Sequence, residues 1–192
     1  LLLKQYMGHP AGFFSPNKFD ANLRSMGIKV SKDTVYVYLD HLKEAFILFP
    51  VQKWDRSLRV RSMNPSKMYV VDTGLAGRFS VTPDRGKRLE NAVFHHLRQR
   101  QRELFYLANG HEVDLASADE RPQAAWNVAW TVHEPETQER EVRSLDWARS
   151  RYPGIQTSLV CHEYPEIWDH DSRLIPAWQL LSGALEIGRA HV

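Results

Sequence analysis

Apolar residues recur at helical spacing in several stretches of this 192-residue chain, and shorter apolar runs between them read as strands. The pattern is sharpest over 86–100. There Leu89, Val93, Phe94 and Leu97 make one apolar helix face. Glu90 stands three and four residues before Val93 and Phe94, so its side chain points at the edge of that face. Two strand-like runs follow, 103–108 and 111–116, joined by Asn109-Gly110, a strong short-range hairpin signal. A third run, 124–130, completes a unit of helix, hairpin and further strand. That unit places Glu90, Glu112 and Asp114 near one another.

Upstream, residues 1–7 read as the end of a helix closed by Gly8 and Pro10. Ser15 followed by Pro16 is an N-cap and first-turn pair that starts a helix through about 26, with Phe19, Leu23 and Met26 inward and Gly27 as its stop. Ser31 caps a second helix to about 45. Val35, Tyr38, Leu39 and Leu42 mark its inner face, and Phe46 extends it. Two short helices joined by a tight glycine turn make a helix-turn-helix pattern. A strand over 46–52, a polar connection over 53–59 and a return over 60–62 would add a hairpin and make it a winged helix. A short strand over 67–71 leads to a boundary near 72–84. Beyond the third strand of the central unit, Pro135 opens a charged helix over 136–152 with Val142, Leu145 and Ala148 inward. A strand over 155–161 follows. The last apolar element, 175–185, reads as a helix with Trp178 and Leu181 inward. The pattern thus predicts a mixed fold, α+β or α/β, with one unit over 1–72 and another over 73–185. The final residues, 186–192, read as a non-native tail.

Composition is that of an ordinary globular chain, with 43% hydrophobic and 25% charged residues. No apolar run approaches the ~18 residues of a membrane-spanning helix, and no signal peptide is visible. The expectation is therefore a cytoplasmic protein without membrane association. The chain begins at Leu1 rather than methionine and reads as a fragment. Net charge is only +2, but it is unevenly spread. Residues 1–72 hold 11 Lys+Arg against 6 Asp+Glu, a net +5, which leaves 14 against 17, a net −3, for the rest. The basic half is the better candidate for nucleic-acid contact. Its connection carries Lys53, Trp54, Arg56, Arg59 and Arg61, basic residues around one aromatic, which suit phosphate contact and stacking. The second helix offers Lys32 and Lys43 but also Asp33, Asp40 and Glu44, which repel phosphate. Cys161 lies in an apolar run and reads as a buried, inert thiol. Asp169-His170-Asp171 has no ligand pair at zinc-like spacing nearby and reads as a solvated loop. His95 and His96 are adjacent on a helix and do not face each other.

Several motifs together resemble a known family. They are Phe14-Ser15 with Asn17-Lys18-Phe19, Val30-Ser31-Lys32-Asp33-Thr34, and Tyr38-Leu39 through Leu42 to Ala45-Phe46-Ile47. Asn64-Pro65-Ser66-Lys67-Met68-Tyr69 follows, running into Asp72-Thr73-Gly74-Leu75. Sharpest are Leu89-Glu90-Asn91-Ala92-Val93 and Glu112-Val113-Asp114. Over about 14–181 the chain resembles the C-terminal region of a large prokaryotic family of AAA-type ATP-binding proteins. In that family an ATPase domain precedes a winged helix and a restriction-endonuclease-like domain of unknown function.

The resemblance implies a mixed sheet flanked by helices. It also implies a site in which a helix glutamate, a strand aspartate and a Glu-x-Lys on the next strand bind a divalent metal and activate water. Glu90 matches the helix acid and Asp114 the strand acid, with Glu112 as a further residual metal ligand. Asn127 stands where the second glutamate belongs, and Ala129 where the lysine belongs. Half the catalytic constellation is thus replaced, and no catalytic residue is expected. No G-x-x-x-x-G-K-[ST] loop occurs, since Gly86-Lys87 lacks the upstream glycine and the following hydroxyl residue. The resemblance assigns ATP and magnesium to an absent N-terminal domain and no cofactor to this chain. The leading expectation is a non-catalytic DNA- or partner-binding region. The alternatives are a metal-dependent nuclease with a non-standard site and a pure protein-interaction module.

Overall fold

A computed structural model describes residues 2–80, 84–100 and 103–184. The expected non-native tail, 186–192, lies outside the described residues. Among them the fold is mixed, with eight helices and two sheets. No helix among them is long and apolar enough to cross a membrane.

The first half holds α1 (Leu2–Gly8), β1 (Gly12–Phe13), α2 (Pro16–Ser25), α3 (Lys32–Glu44), β2 (Leu48–Val51), α4 (Leu58–Met63), β3 (Lys67–Val70) and α5 (Thr73–Phe79). The helix starts follow the capping chemistry of the sequence. Ser15 Oγ accepts the Lys18 N–H at 3.4 Å, and Ser31 Oγ accepts the Thr34 N–H at 3.1 Å. The three strands pair antiparallel in the order β1-β3-β2. Their apolar side, with Leu48, Met68 and Val70, packs with Phe19, Leu23, Val35 and Leu39.

Two expectations need correction here. The return strand of the expected wing, 60–62, is helical. Ser57 caps α4 by accepting the Val60 N–H, Asn64 Nδ2 donates to the Val60 carbonyl at 2.7 Å, and β2 takes β3 as its partner instead, pairing Leu48 with Val70. The inner face of α3 is also narrower than the period suggests. Val35 and Leu39 are buried, whereas Tyr38 and Phe46 are more than half exposed, as is Met26 after α2. Phe46 has φ 55°, and this left-handed turn out of α3 carries it off the helical phase.

The second half holds α6 (Arg85–Arg98), β4 (Leu104–Ala108), β5 (Glu112–Ala118), β6 (Pro122–Thr131), α7 (Pro135–Arg151), β7 (Gln156–Glu163), β8 (Arg173–Pro176) and α8 (Ala177–Leu181). Its sheet runs β4-β5-β6-β7-β8, antiparallel from β4 to β6 and parallel from β6 to β8. Gly110, at φ 76°, occupies the left-handed position of the turn between β4 and β5. Val93, Phe94 and Leu97 of α6 cover one face with Trp126 and Val128. Leu145 and Ala148 of α7 cover the other with Ala125 and Ala129. The last apolar element is also corrected. Ile175 belongs to β8, so the helix starts at Ala177 and its phase shifts. Ala177 and Leu180 are buried, and Trp178 and Leu181 are exposed.

The halves are joined through β3. The Asn91 side chain binds the Val70 backbone twice, accepting its N–H at 2.9 Å and donating to its carbonyl at 3.0 Å. Tyr69 stacks on Phe94 with ring centroids 4.1 Å apart. Residues 52–54 extend beside β4, with the Tyr106 N–H on the Gln52 carbonyl and the Trp54 N–H on the Tyr106 carbonyl.

Candidate functional site

The site forms where β5 and β6 part. Their pairing begins at Leu115 opposite Trp126 and does not extend to Asp114. Side chains take over the missing rungs. Asp114 Oδ2 accepts the Val128 N–H at 3.0 Å, and Asn127 Oδ1 accepts the Asp114 N–H at 3.2 Å. The opening leads into a cleft of about 670 Å³, lined among others by Lys87 and Glu90 of α6, Glu112 and Asp114 of β5, and Arg140 and Glu141 of α7.

Lys67, the first residue of β3, fills the inner end of this opening. It is fully buried, and its Nζ lies 2.7 Å from Glu112, 2.8 Å from Asp114 and 3.2 Å from Glu90. Glu90 also receives the Tyr69 hydroxyl at 2.8 Å and the Lys87 ammonium at 2.8 Å. On the other side of β6, Asn127 Nδ2 donates to Glu141 Oε2 at 2.8 Å, and Arg140 pairs with the same carboxylate at 2.8 Å. Four carboxylates thus meet three cations in a space closed to bulk water at its inner end.

Burial would discharge Lys67, but the fields of Asp114, Glu90 and Glu112 outweigh it and hold the ammonium well above its ordinary range. Burial likewise acts against the Asp114 carboxylate, yet Lys67, Lys87 and the Val128 N–H pull it below the usual value. Glu90 goes the other way: burial and the Asp114 charge raise it despite the two lysines. Glu141 is raised by burial and Asp114. Tyr69 is raised by burial and the neighbouring carboxylates, so it stays a hydroxyl donor. Lys67 therefore carries the site's central positive charge.

The structure brings Glu90, Glu112 and Asp114 together around one ammonium. That leaves a poor fit for a divalent ion. Among the described residues, no group of three His, Cys, Asp or Glu side chains is arranged to hold a metal. Asn127 bridges Asp114 and Glu141 of α7, and Ala129, packed against that helix, lines the cleft with no charge to offer. The expected nucleic-acid residues divide: Lys53, Trp54 and Arg56 line a second cleft, and Lys32, Arg59 and Arg61 lie outside its lining. Lys32 Nζ is held by Asn17 Oδ1 at 2.9 Å, and Trp54 is buried. Arg61 lies over Phe105, 4.8 Å from the ring centroid. Arg56 and Arg59 are exposed, and Lys53 is half-buried. Lys43, on the exposed side of α3, is paired with Asp40 at 2.9 Å.

Sequence reasoning gave no role to Lys67, Tyr69, Lys87, Arg140 or Glu141. Two had a signal. Lys67 is a charge opening an apolar strand, and Glu141 precedes Leu145 and Ala148 by four and seven residues, on the inward face of α7.

Comparison with known proteins adds little chemistry. Residues 2–85 match a family described as a domain of unknown function, DUF8612. The chain is 28% identical over 131 residues to the uncharacterized protein MJ1544 of Methanocaldococcus jannaschii, an overlap covering 66% of this chain and 29% of that protein. It therefore spans less than a third of the curated relative that it matches. No solved structure matches.

Proposed function

We propose that this chain is a non-catalytic, nucleic-acid-binding region of a larger AAA-type ATP-binding protein, with a winged-helix-like first half and a nuclease-like second half whose metal position is taken by an internal ammonium. One observation carries the non-catalytic part: Lys67 Nζ sits within 3.2 Å of Glu90, Glu112 and Asp114. A lysine so placed supplies the charge that a metal would bring to the carboxylates, but it presents no open coordination position to activate water. Asn127 and Ala129 remove the remaining acid and cation of the motif. The +5 balance of residues 1–72 and the exposed Arg56 and Arg59 support binding to phosphate. The motif resemblance supports the ATPase parent, and a P-loop in the coding sequence upstream of Leu1 would test it.

The direct test is binding of labelled duplex DNA across a salt series, together with a plasmid-cleavage assay in magnesium and manganese. Salt-dependent binding without cutting is the expected result. Absence of binding, or cutting abolished by Asp114→Ala, would refute it. The nuclease alternative draws on a different observation. Glu141 reaches Asn127 at 2.8 Å and feels the charge of Asp114, so a carboxylate does stand beside the substituted position. Under that reading Glu141→Gln abolishes cutting as well.

A further inference from the structure

A second cleft, separate from the carboxylate site, encloses about 430 Å³ between residues 53–56, the turn between β4 and β5, and the C-terminal end of α7. Its lining includes Lys53, Arg56, Arg121 and Arg151 against one carboxylate, Asp55. Three of these cations are exposed, and among the described residues none of the four is ion-paired. The contrast with Arg149 is direct, since that neighbour is held by Asp146 and Asp171. Asp55 is itself engaged, accepting the Ser57 N–H at 2.8 Å.

The same cleft is aromatic. Trp147 and Tyr152 line it, and Trp54 lies at its base with its ring edge-on to Tyr152 at 5.3 Å. Trp54 is 93% buried, and its indole N–H has no hydrogen-bond partner. A residue that lines this cation-rich cleft thus carries a donor with no protein acceptor. Arg56 and Arg151 come from segments far apart in sequence, yet both line this one cleft. The cations thus converge rather than scatter.

Resting on the nucleic-acid reading above, we infer that this cleft binds single-stranded nucleic acid, with Lys53, Arg56, Arg121 and Arg151 on consecutive phosphates and the Trp147 and Tyr152 rings against a base. Cations along a groove interleaved with aromatic rings are what a single strand needs, because every unpaired base has a face to stack and every link carries a charge. A duplex keeps its bases stacked inside and cannot use the rings. The turn at 109–111 connects this cleft to the carboxylate site: Asn109 lines one and His111 the other, and His111 stacks on Trp147 at 6.0 Å.

The test is fluorescence anisotropy with a labelled oligothymidylate and a duplex of equal length, for the whole chain and for Arg121→Ala/Arg151→Ala. Arg78→Ala, on α5 outside both clefts, serves as control. The double variant is expected to bind the single strand about tenfold more weakly at 0.1 M salt, with the salt slope reduced by about 1.4, and to retain its duplex affinity. Arg121→Gln/Arg151→Gln repeats the test if the alanine pair melts early. Unchanged single-strand binding in a folded double variant overturns the cleft while leaving the proposed function standing. Failure of the unmodified chain to bind either oligonucleotide overturns both. Displacement of the strand by inorganic phosphate or a mononucleotide at the same phosphate concentration would reduce the cleft to a free-phosphate site. Binding of polyglutamate but of neither oligonucleotide would assign it to an acidic protein segment. Both of these results also overturn the inference.

Discussion

Lys67 Nζ and Asp114 Oδ1 are 2.8 Å apart, although they are separated by 47 positions and belong to different sheets. The contact fixes β3 of the first half against β5 of the second. It also decides the chemistry of the carboxylate cluster, because the ammonium that contacts all three of Glu90, Glu112 and Asp114 arrives from the other half of the chain.

Replacing Lys67 with methionine keeps most of the volume and removes the charge. Glu90 and Asp114 then remain buried without their main partner. Breaking a buried ion pair from one side costs about 3–5 kcal/mol, and this site has three carboxylates facing the loss. Lys67→Met is therefore expected to lower the urea midpoint strongly without changing the slope of the transition. A loss below ~1 kcal/mol would show that the network is not coupled to stability in this way.

The pH dependence follows from the same groups. Lys67 and Tyr69 keep their protons in the folded state above the ordinary values of 10.5 and 10.0. Their contribution is fully present below those values and is lost as pH rises beyond them, since the unfolded chain releases protons that the folded chain retains. The expected slope is about −1.4 kcal/mol per pH unit for each retained proton. Asp114 behaves oppositely. Its carboxyl is depressed below 3.8, so its contribution is present above that value and lost as pH falls through the folded one. Thermal melting between pH 9 and 11, for the chain and for Tyr69→Phe, should show the slope above pH 10 fall toward one proton less in the variant.

The basic connection divides into two kinds of arginine. Arg56 and Arg59 are exposed, whereas Arg61 lies over Phe105 and donates from Nε to the Asp55 carbonyl. Arg56→Ala and Arg59→Ala should each weaken nucleic-acid binding and reduce the salt slope by about one. Arg61→Ala should instead lower the melting temperature and leave the salt slope near its original value. Equal effects of all three on the slope would contradict the division.

How far the sequence revealed this site depends on where its residues lie. Glu90 and Asp114 were legible because one sits at the edge of a strong helical face and the other in an alternating strand beside a hairpin signal. Lys67 was not, because a local pattern carries no information about a partner 47 positions away. The return strand of the expected wing was misplaced for a related reason. The run at 60–62 suits a strand by composition, but the Ser57 cap and the register of β2 on β3 favour a turn of helix there. Trp178 and Leu181 were misplaced because β8 ends inside the apolar run, which shifts the helical phase of everything after it.

Metal binding provides the sharpest test of the internal ammonium. With Lys67 in place, a divalent cation at Glu90 and Asp114 would have to displace a buried charge that already satisfies them, so manganese or calcium should leave the melting temperature of the unmodified chain unchanged. Lys67→Ala removes that competitor and leaves Glu90, Glu112 and Asp114 facing an empty volume, an oxygen-rich set suited to a hard cation. The variant should be destabilised without metal and partly rescued with it, by about 2.7 kcal/mol when the metal is at one hundred times its dissociation constant. Cleavage should still be absent, because Asn127 and Ala129 restore neither the second acid nor the cation that steadies hydroxide, and each such group can be worth about 10²–10³ in rate. Equal stabilisation of the unmodified chain by manganese would show that Lys67 yields its place and that the carboxylates form a metal site after all.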